Sequence, residues 1–407
     1  MSEWKEVSLS ELGKTITGKT PSSQYPGDFG DEVPFITPSD SFEKKYISKS
    51  ERYLSRSGSD RLKDKIISSD SIMVTCIGSA MGKVAKNSLP SVTNQQINSI
   101  IVNENFDSDY IYYLFKNNYA VFRNAASGST AIPILNKTDF DNLRFKVELD
   151  LNKQRKMVSI LSKIDDKIEI NNQINQELED MAKFLYDYWF VQFDFPDQNG
   201  EPYKSSGGKM VYNPELKREI PEGWGVEKLE NVANITMGQS PKGSSYNEAG
   251  EGIIFFQGST DFGWRFPVAR QYTTEPSRIA EEDDILLSVR APVGTLNIAD
   301  TRCCIGRGLA AINSKVGANS YIFNVMQDFK KLFDMMNSVG TTFGSITKED
   351  LYSLQLVYPP NELLMKFDQS VKPFDREIKN RSRQNQELTQ LRDWLLPMLM
   401  NGQVKVE

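Results

Sequence analysis

LNKQRKMVSILSKIDDKIEINNQINQELEDMAKFLYDYWF, residues 151–190, is the stretch that decides the architecture. Leu161, Ile164, Ile168, Asn171, Asn175, Leu178, Ala182, Leu185 and Trp189 follow one another at alternating steps of three and four residues. That spacing predicts one long helix, from about Asn152 to Phe190, with a seam of a/d type. The same seam returns as Val371, Phe374, Ile378, Arg381, Asn385, Leu388, Arg392, Leu395 and Leu399. Asn175-Gln176-Glu177-Leu178 and Asn385-Gln386-Glu387-Leu388 are identical and differ by 210 in numbering. An asparagine inside an apolar seam costs stability but penalises wrong registers. The two helices are therefore expected to pair with each other, antiparallel, about an approximate two-fold axis. At about 1.5 Å per residue each seam is on the order of 40 Å long, the length of a spacer. Pro397 is expected to end or kink the second helix.

Working outward, the rest of the chain is also written twice. Trp4, Leu9, Gly18 and Pro21 return as Trp224, Leu229, Gly238 and Pro241, each pair differing by 220 in numbering. Strand-like runs at Ile72–Cys76, Ile97–Val102 and Leu143–Val147 are answered by Ile285–Val289, Leu309–Ile312 and Leu354–Tyr358. A helix capped by Ser108 and carrying Ile111, Leu114, Phe115 and Phe122 is answered by one starting near Ser320. Tyr110-Ile111 aligns with Tyr321-Ile322, and Gly128-Ser129-Thr130 with Gly340-Thr341-Thr342. The expected fold class is mixed α/β: two similar α/β domains separated by two long antiparallel helices that form a coiled-coil spacer, an internal pseudo-two-fold repeat. The boundaries are domain 1 at 1–150, helix at 151–193, linker at 194–222, domain 2 at 223–359 and helix at 360–401. A two-helix seam cannot cover every large apolar group at the helix ends. Phe184, Tyr188, Trp189, Trp394 and Met398 are candidates for docking a partner.

Bulk properties narrow the chemistry. A chain of 407 residues has room for two cores. It contains no histidine, which removes Ser-His-Asp catalysis, Cys-His catalysis and imidazole ligation together. Cys76, Cys303 and Cys304 form neither a disulfide framework nor a zinc set, so no metal site and a reducing cytoplasm are expected. No apolar run has membrane-spanning length. A net charge of −6 argues against indiscriminate nucleic-acid binding but allows a local basic face.

Gly13-Lys14-Thr15-Ile16-Thr17-Gly18-Lys19-Thr20 matches a phosphate-binding P-loop as text. Its context is wrong: a polar segment precedes it, and Pro21 to Gly27 cannot start a helix. Gln239 also stands where the second copy would need lysine. The better reading is a polar turn present in both halves, suited to close approach to a phosphate or a base edge. Candidates for facing DNA are Gly18, Lys19 and Thr20 with Lys83 and Gln96 in the first half. In the second half they are Gln239, Ser240 and Lys242 with Arg290 and Arg307. Thr37, Ser39 and Asp40 correspond to Gln257, Ser259 and Thr260; Gly78-Ser79 with Lys83 corresponds to Arg290 with Gly294-Thr295. Asn94-Gln95-Gln96 lies near the position of Gly306-Arg307. Trp264-Arg265, Arg270 and Arg302 add basic and aromatic groups to the second half. Glu281-Glu282-Asp283-Asp284 reads as a solvated turn, and Glu377-Ile378-Lys379 has no nuclease aspartate at a suitable spacing. No methyltransferase tetrapeptide and no glycine-rich cofactor loop is present. No catalytic residue is expected.

Two α/β domains, each followed by a long helix, resemble the DNA-specificity subunit of a type I restriction–modification enzyme. The carriers are the openings Trp4–Pro21 and Trp224–Pro241, the segment Leu151-Asn152-Lys153-Gln154-Arg155, the two Asn-Gln-Glu-Leu helices and the linker ending Glu219-Ile220-Pro221-Glu222-Gly223-Trp224. The resemblance implies that each domain is a target-recognition domain for one half of a bipartite double-stranded DNA site. It implies that the helices set the unread gap and hold two modification (methyltransferase) subunits. S-adenosylmethionine, ATP and magnesium would then sit on partner chains, with ATP driving translocation by restriction–translocase subunits, and no cofactor here. A two-headed protein adaptor and a P-loop ATPase are the alternative readings.

Overall fold

The computed structural model describes residues 4–78, 81–125, 133–338 and 345–404, with backbone alone for 335–338. Ser79 and the Gly128-Ser129-Thr130 and Gly340-Thr341-Thr342 correspondence lie outside the described residues. The chain divides into two compact units, Met1–Ile170 with Asn385–Glu407, and Asn171–Gln384. Each unit holds one α/β domain and a stretch of both long helices.

In the first unit, strand Trp4–Ser8 pairs antiparallel with Arg144–Glu148. The turn Leu9–Leu12 leads into strand Gly13–Thr17. A five-stranded sheet then runs in the order Gly13–Thr17, Ile97–Val102, Ile72–Thr75, Val84–Asn87, Tyr46–Ile47. A second sheet runs Phe29–Gly30, Arg52–Leu54, Val33–Ile36, Ser91–Thr93, Ile66–Ile67. Strand side chains alternate between faces, and here both faces are covered. Ile72, Val74 and Ile100 pack with the helix Ser108–Asn117, while Met73, Ala85 and Ile97 pack with Ile36 and Ile67 of the second sheet. That double burial is why these strands read as unbroken apolar runs. The helix cap is Asp107, not Ser108: its carboxylate accepts from the Asp109 and Tyr110 amides.

The second unit repeats this plan. Gly225–Lys228 pairs with Gln355–Tyr358, and Leu229–Val232 leads into Ala233–Met237. The central sheet is Ala233–Met237, Leu309–Ser314, Ile285–Ser288, Leu296–Ile298. Ile285 and Leu287 face the helix Asn319–Ser338, and Leu286 faces Phe256 and Ile305. The unusual parallel pairs also recur: Thr93 opposite Ile36 in one unit, Ile305 opposite Phe256 in the other.

The long helices span Leu151–Tyr186, closed by a π-helical turn Asp187–Val191, and Asn361–Met400. All the expected seam residues are buried or half-buried. In the first unit the Arg392 guanidinium donates to Asp165 (2.9 Å) and Asn385 Nδ2 to the Ile168 carbonyl (3.5 Å). In the second, Asn171 Nδ2 donates to Gln384 (2.8 Å), Arg381 to Asn171 Oδ1 (3.1 Å) and Asn175 Nδ2 to Ser382 Oγ (3.3 Å). In the first unit the partner number falls from 392 to 385 as the helix number rises from 165 to 168, so the pairing is antiparallel. Each domain core also takes in both helices: Leu161 with Leu396 and Leu399 in one, Ala182 and Trp189 with Phe367 and Val371 in the other.

Three local features bear on the sequence reading. Pro397 does not end the second helix, which continues to Met400, and Pro373 lies inside it as well. A helical proline has no amide hydrogen to give to the carbonyl four residues back, here Gln369 and Asp393, so each costs the helix one backbone bond without stopping it. The stretch 194–222 between the two halves carries structure of its own. It forms the hairpin Met210–Asn213/Arg218–Pro221, and Phe195 stacks between Tyr203 (4.6 Å) and Trp224 (5.1 Å). Glu281–Asp283 is an exposed turn, as expected, with Lys379 donating to Glu282 and Asp283 at 2.7 Å each; only Asp284, at the strand entry, is buried.

Candidate nucleic-acid interface

Strand polarity places the candidate loops at one end of each central sheet. In the first unit Thr17 lies opposite Asn98, Ile97 opposite Thr75, and Val74 opposite Val84. The segments after Thr17, before Ile97 and between Thr75 and Val84 therefore emerge together. They are laced by backbone bonds: Lys19 N to Thr93 O (2.8 Å), Cys76 N to Gln96 O (2.8 Å) and Thr75 N to Lys83 O (3.0 Å). Gly18 is required by this closeness, since a Cβ there would sit 2.2 Å from the Thr93 and Asn94 carbonyls. Thr20 Oγ1 donates to Gln95 Oε1 at 2.6 Å. Lys83 is half-buried and donates to Glu43 at 2.5 Å, which neutralises much of its charge.

The second unit builds the same end from different side chains. Gln239 N donates to Ile305 O (3.0 Å), Gly238 N to Leu309 O (2.9 Å) and Val289 N to Gly308 O (2.9 Å). Ser240 exchanges hydrogen bonds with the Gln257 amide at 2.9 and 3.1 Å, and the Arg307 amide donates to Ser240 Oγ at 3.4 Å. Arg290 lies on the neighbouring turn, bridged to Ser345. Lys242 is 4.0 Å from Glu275.

The structure thus gathers Gly18, Lys19, Thr20 and Gln96 in one unit and Gln239, Ser240 and Arg307 in the other, with Lys83, Arg290 and Lys242 on flanking turns. Lys19, Arg290 and Arg307 are exposed and form no ion pair among the described residues. Other basic groups are paired, Arg265 in the interior and Arg270 and Arg302 at the surface. Arg265 is 6% exposed and is tied to Glu179 (3.1 Å) and Asp375 (2.6 Å), its guanidinium 4.0 Å from the Phe323 ring centre. Arg270 pairs with Asp261, and Arg302 with Glu281 at 3.2 Å. The residue missed from sequence is Gln95. Gln96 is half-buried and accepts from Asn94 Nδ2 (3.1 Å), whereas Gln95 is the exposed tip. The signal was available, because Gln95 is the counterpart of Arg307 once the two copies are aligned on their strands.

The P-loop text is a strand: Gly13–Thr17 pairs residue by residue with Asn98–Val102, so its amides are spent on a sheet. Burial pushes the Cys76 and Cys303 thiols up to about 12, far from nucleophilic. Among the described residues no His, Cys, Asp and Glu cluster could hold a metal ion, and no helix is long and apolar enough to cross a membrane. Of the candidates for docking a partner, Phe184 (69% exposed) and Trp394 (59%) are open, and Tyr188 and Met398 are half-buried. Trp189 is instead a core residue, 7% exposed and 5.8 Å from Phe367, because the turn after the first helix folds it inward.

Two recognition-sized α/β domains on an internal repeat, with polar loop ends and buried thiols, define a class of binding protein built to read two similar things. The sequence profile of the type I restriction modification DNA specificity domain matches residues 1–180 and 221–390. The chain belongs to that family, and its role is sequence-specific DNA recognition for a restriction–modification complex, not catalysis. A putative type I restriction enzyme MjaX specificity subunit of Methanocaldococcus jannaschii is 31% identical over 304 residues, 73% of this chain and 68% of the relative. The MjaIX specificity subunit of the same organism is 28% identical across 100% of this chain and 94% of its own length. A crystal structure of a type I S subunit from M. genitalium shares the fold, with a TM-score of 0.63 at 16% identity over 98% of this chain and 96% of that one.

Proposed function

We propose that each domain reads one half of a bipartite duplex site through the loop end of its central sheet. The observation that carries this is the recurrence of that end in both units, with the same backbone lacing and different side chains. A shared frame with changed polar tips is what two different half-sites require. The exposed, unpaired Lys19, Arg290 and Arg307 supply the positive charge that a chain of net charge −6 must concentrate locally. The paired helices would fix the unread gap. Two modification subunits would dock on the exposed Phe184 and Trp394 with the half-buried Tyr188 and Met398, bringing S-adenosylmethionine to methylate adenine. ATP and magnesium would belong to restriction–translocase chains, and the assembly would work in the cytoplasm.

The test maps methylated adenines in DNA from cells with and without this chain, then in cells carrying Arg290→Ala or Arg307→Ala. A bipartite motif that vanishes on deletion, and cognate binding weakened by about 1–3 kcal/mol in a variant that loses a base contact, supports the reading. Unchanged affinity for cognate and random duplexes in both variants defeats the placement of the interface. Retained partner binding with no sequence preference at all would favour a protein adaptor.

A further inference from the structure

The loop tips of the two units can be compared atom for atom. Asn94 N donates to Ile36 O (3.0 Å), as Gly306 N does to Phe256 O (2.8 Å). Ile97 N donates to Asn94 O (3.2 Å), as Leu309 N does to Gly306 O (3.0 Å). The carbonyls of Gln96 and Gly308 accept from Cys76 N and Val289 N. Asn94–Gln96 and Gly306–Gly308 are therefore one backbone conformation carrying different side chains. The middle residue, Gln95 or Arg307, is exposed in both, and its neighbours are buried or half-buried. Each tip contacts the equivalent hydroxyl residue: Thr20 Oγ1 donates to Gln95 Oε1 (2.6 Å), and Arg307 N donates to Ser240 Oγ (3.4 Å).

The two tips have different hydrogen-bonding grammars. A glutamine amide offers one donor group and one acceptor, which matches the N7 acceptor and N6 donor of adenine. The Gln95 oxygen keeps a second lone pair after accepting from Thr20, so that hydroxyl orients the amide without spending it. A guanidinium only donates, which matches the two acceptors of guanine, O6 and N7. Arg307 has a glycine on each side, so no neighbouring side chain competes for the groove.

Given that the loop end faces DNA, we propose that Gln95 and Arg307 are equivalent base readers, the first selecting adenine in one half-site and the second selecting guanine at the matching position of the other. The pseudo-two-fold site would then be asymmetric at that position because one side chain differs, not because the domains dock differently.

The experiment uses the complex assembled with its modification subunits and a pool of duplexes randomised one base pair at a time across the target. Arg307→Gln is expected to move one position of one half-site from guanine to adenine. Gln95→Arg is expected to move the matching position of the other half-site from adenine to guanine. Each change should be roughly 5- to 150-fold in relative preference. Arg307→Ala and Gln95→Ala should flatten those same positions and leave the rest of the profile intact, with complex melting temperature as the folding control. An unchanged profile, or a uniform loss at every position, overturns the base assignment. Lys19→Glu with Arg290→Glu separates this from the wider reading: if that pair leaves affinity for all duplexes intact, the interface itself is misplaced. If it weakens all of them while the tip swaps change nothing, only the base assignment fails.

Discussion

Replacing Arg265 with methionine should unfold the second unit early and leave its DNA preference alone. Methionine keeps much of the apolar volume, so the change isolates the charge. The guanidinium is nearly enclosed and holds two carboxylates, Glu179 on the first long helix and Asp375 on the second. Removing one partner of a fully buried pair costs about 3–5 kcal/mol. Glu179 and Asp375 retain 21% and 28% of their side-chain exposure, so water offsets part of that loss. The stacking over Phe323 adds about 1 kcal/mol. The expected loss is about 2–4 kcal/mol. It should depend on pH. Burial already raises the Asp375 pKa above the usual carboxylate value, and Arg265 pulls it back down. Without Arg265 it rises further. A carboxyl whose folded-state pKa lies above its unfolded value favours the folded state less as pH rises through that folded value, and more as pH falls. The penalty is therefore largest at neutral pH and smaller at acidic pH. Urea denaturation of the full chain reads this transition by tryptophan fluorescence, with Trp4→Phe and Trp394→Phe in the background so that the signal comes from the second unit. A loss below about 1 kcal/mol, or an equal penalty at both pH values, would refute the reasoning.

Two more outcomes follow from the same internal comparison. Lys86 is buried with its ammonium 2.6 Å from Asp70 and 2.5 Å from Asp109; burial opposes its charge, but Asp109 and Asp70 outweigh that and raise its pKa. The second unit has Ile298 and Ser320 where the first has Lys86 and Asp109, so Lys86→Ile with Asp109→Ser should cost less than the two single changes summed, by about 1–3 kcal/mol in a urea double-mutant cycle; strict additivity would contradict this. Gly18→Ala or Gly238→Ala would place a Cβ about 2 Å from the carbonyls of the facing loop, so each should blunt recognition of its own half-site alone in the methylated-motif assay; loss spread over both half-sites would refute the separate roles of the two loop ends.

Much of the fold was legible because it rests on periodicity. The seam from Leu161 to Trp189 was readable since each position shares one helix face. Runs such as Ile285–Ser288 were readable since sheets covered on both faces leave no polar alternation. The misread side chains are matters of partnership. Arg265, Arg270 and Arg302 look alike in the chain, but folding buries Arg265 against Glu179 and Asp375 from distant sequence and leaves Arg270 and Arg302 in exposed pairs with Asp261 and Glu281. Trp189 reads as a spare aromatic until Phe367 arrives from the second helix. Gln96 and Gln95 are chemically the same residue, and only the turn at Asn94 decides which one faces solvent.

By itself, then, the sequence determined the doubled plan, the paired helices and the absence of histidine-dependent chemistry, because repeats, period and composition are properties of the chain. The tertiary structure alone decided which charges stay free for a ligand and which are consumed internally. That choice depends on which groups folding brings within a few ångströms, a distance no linear spacing encodes.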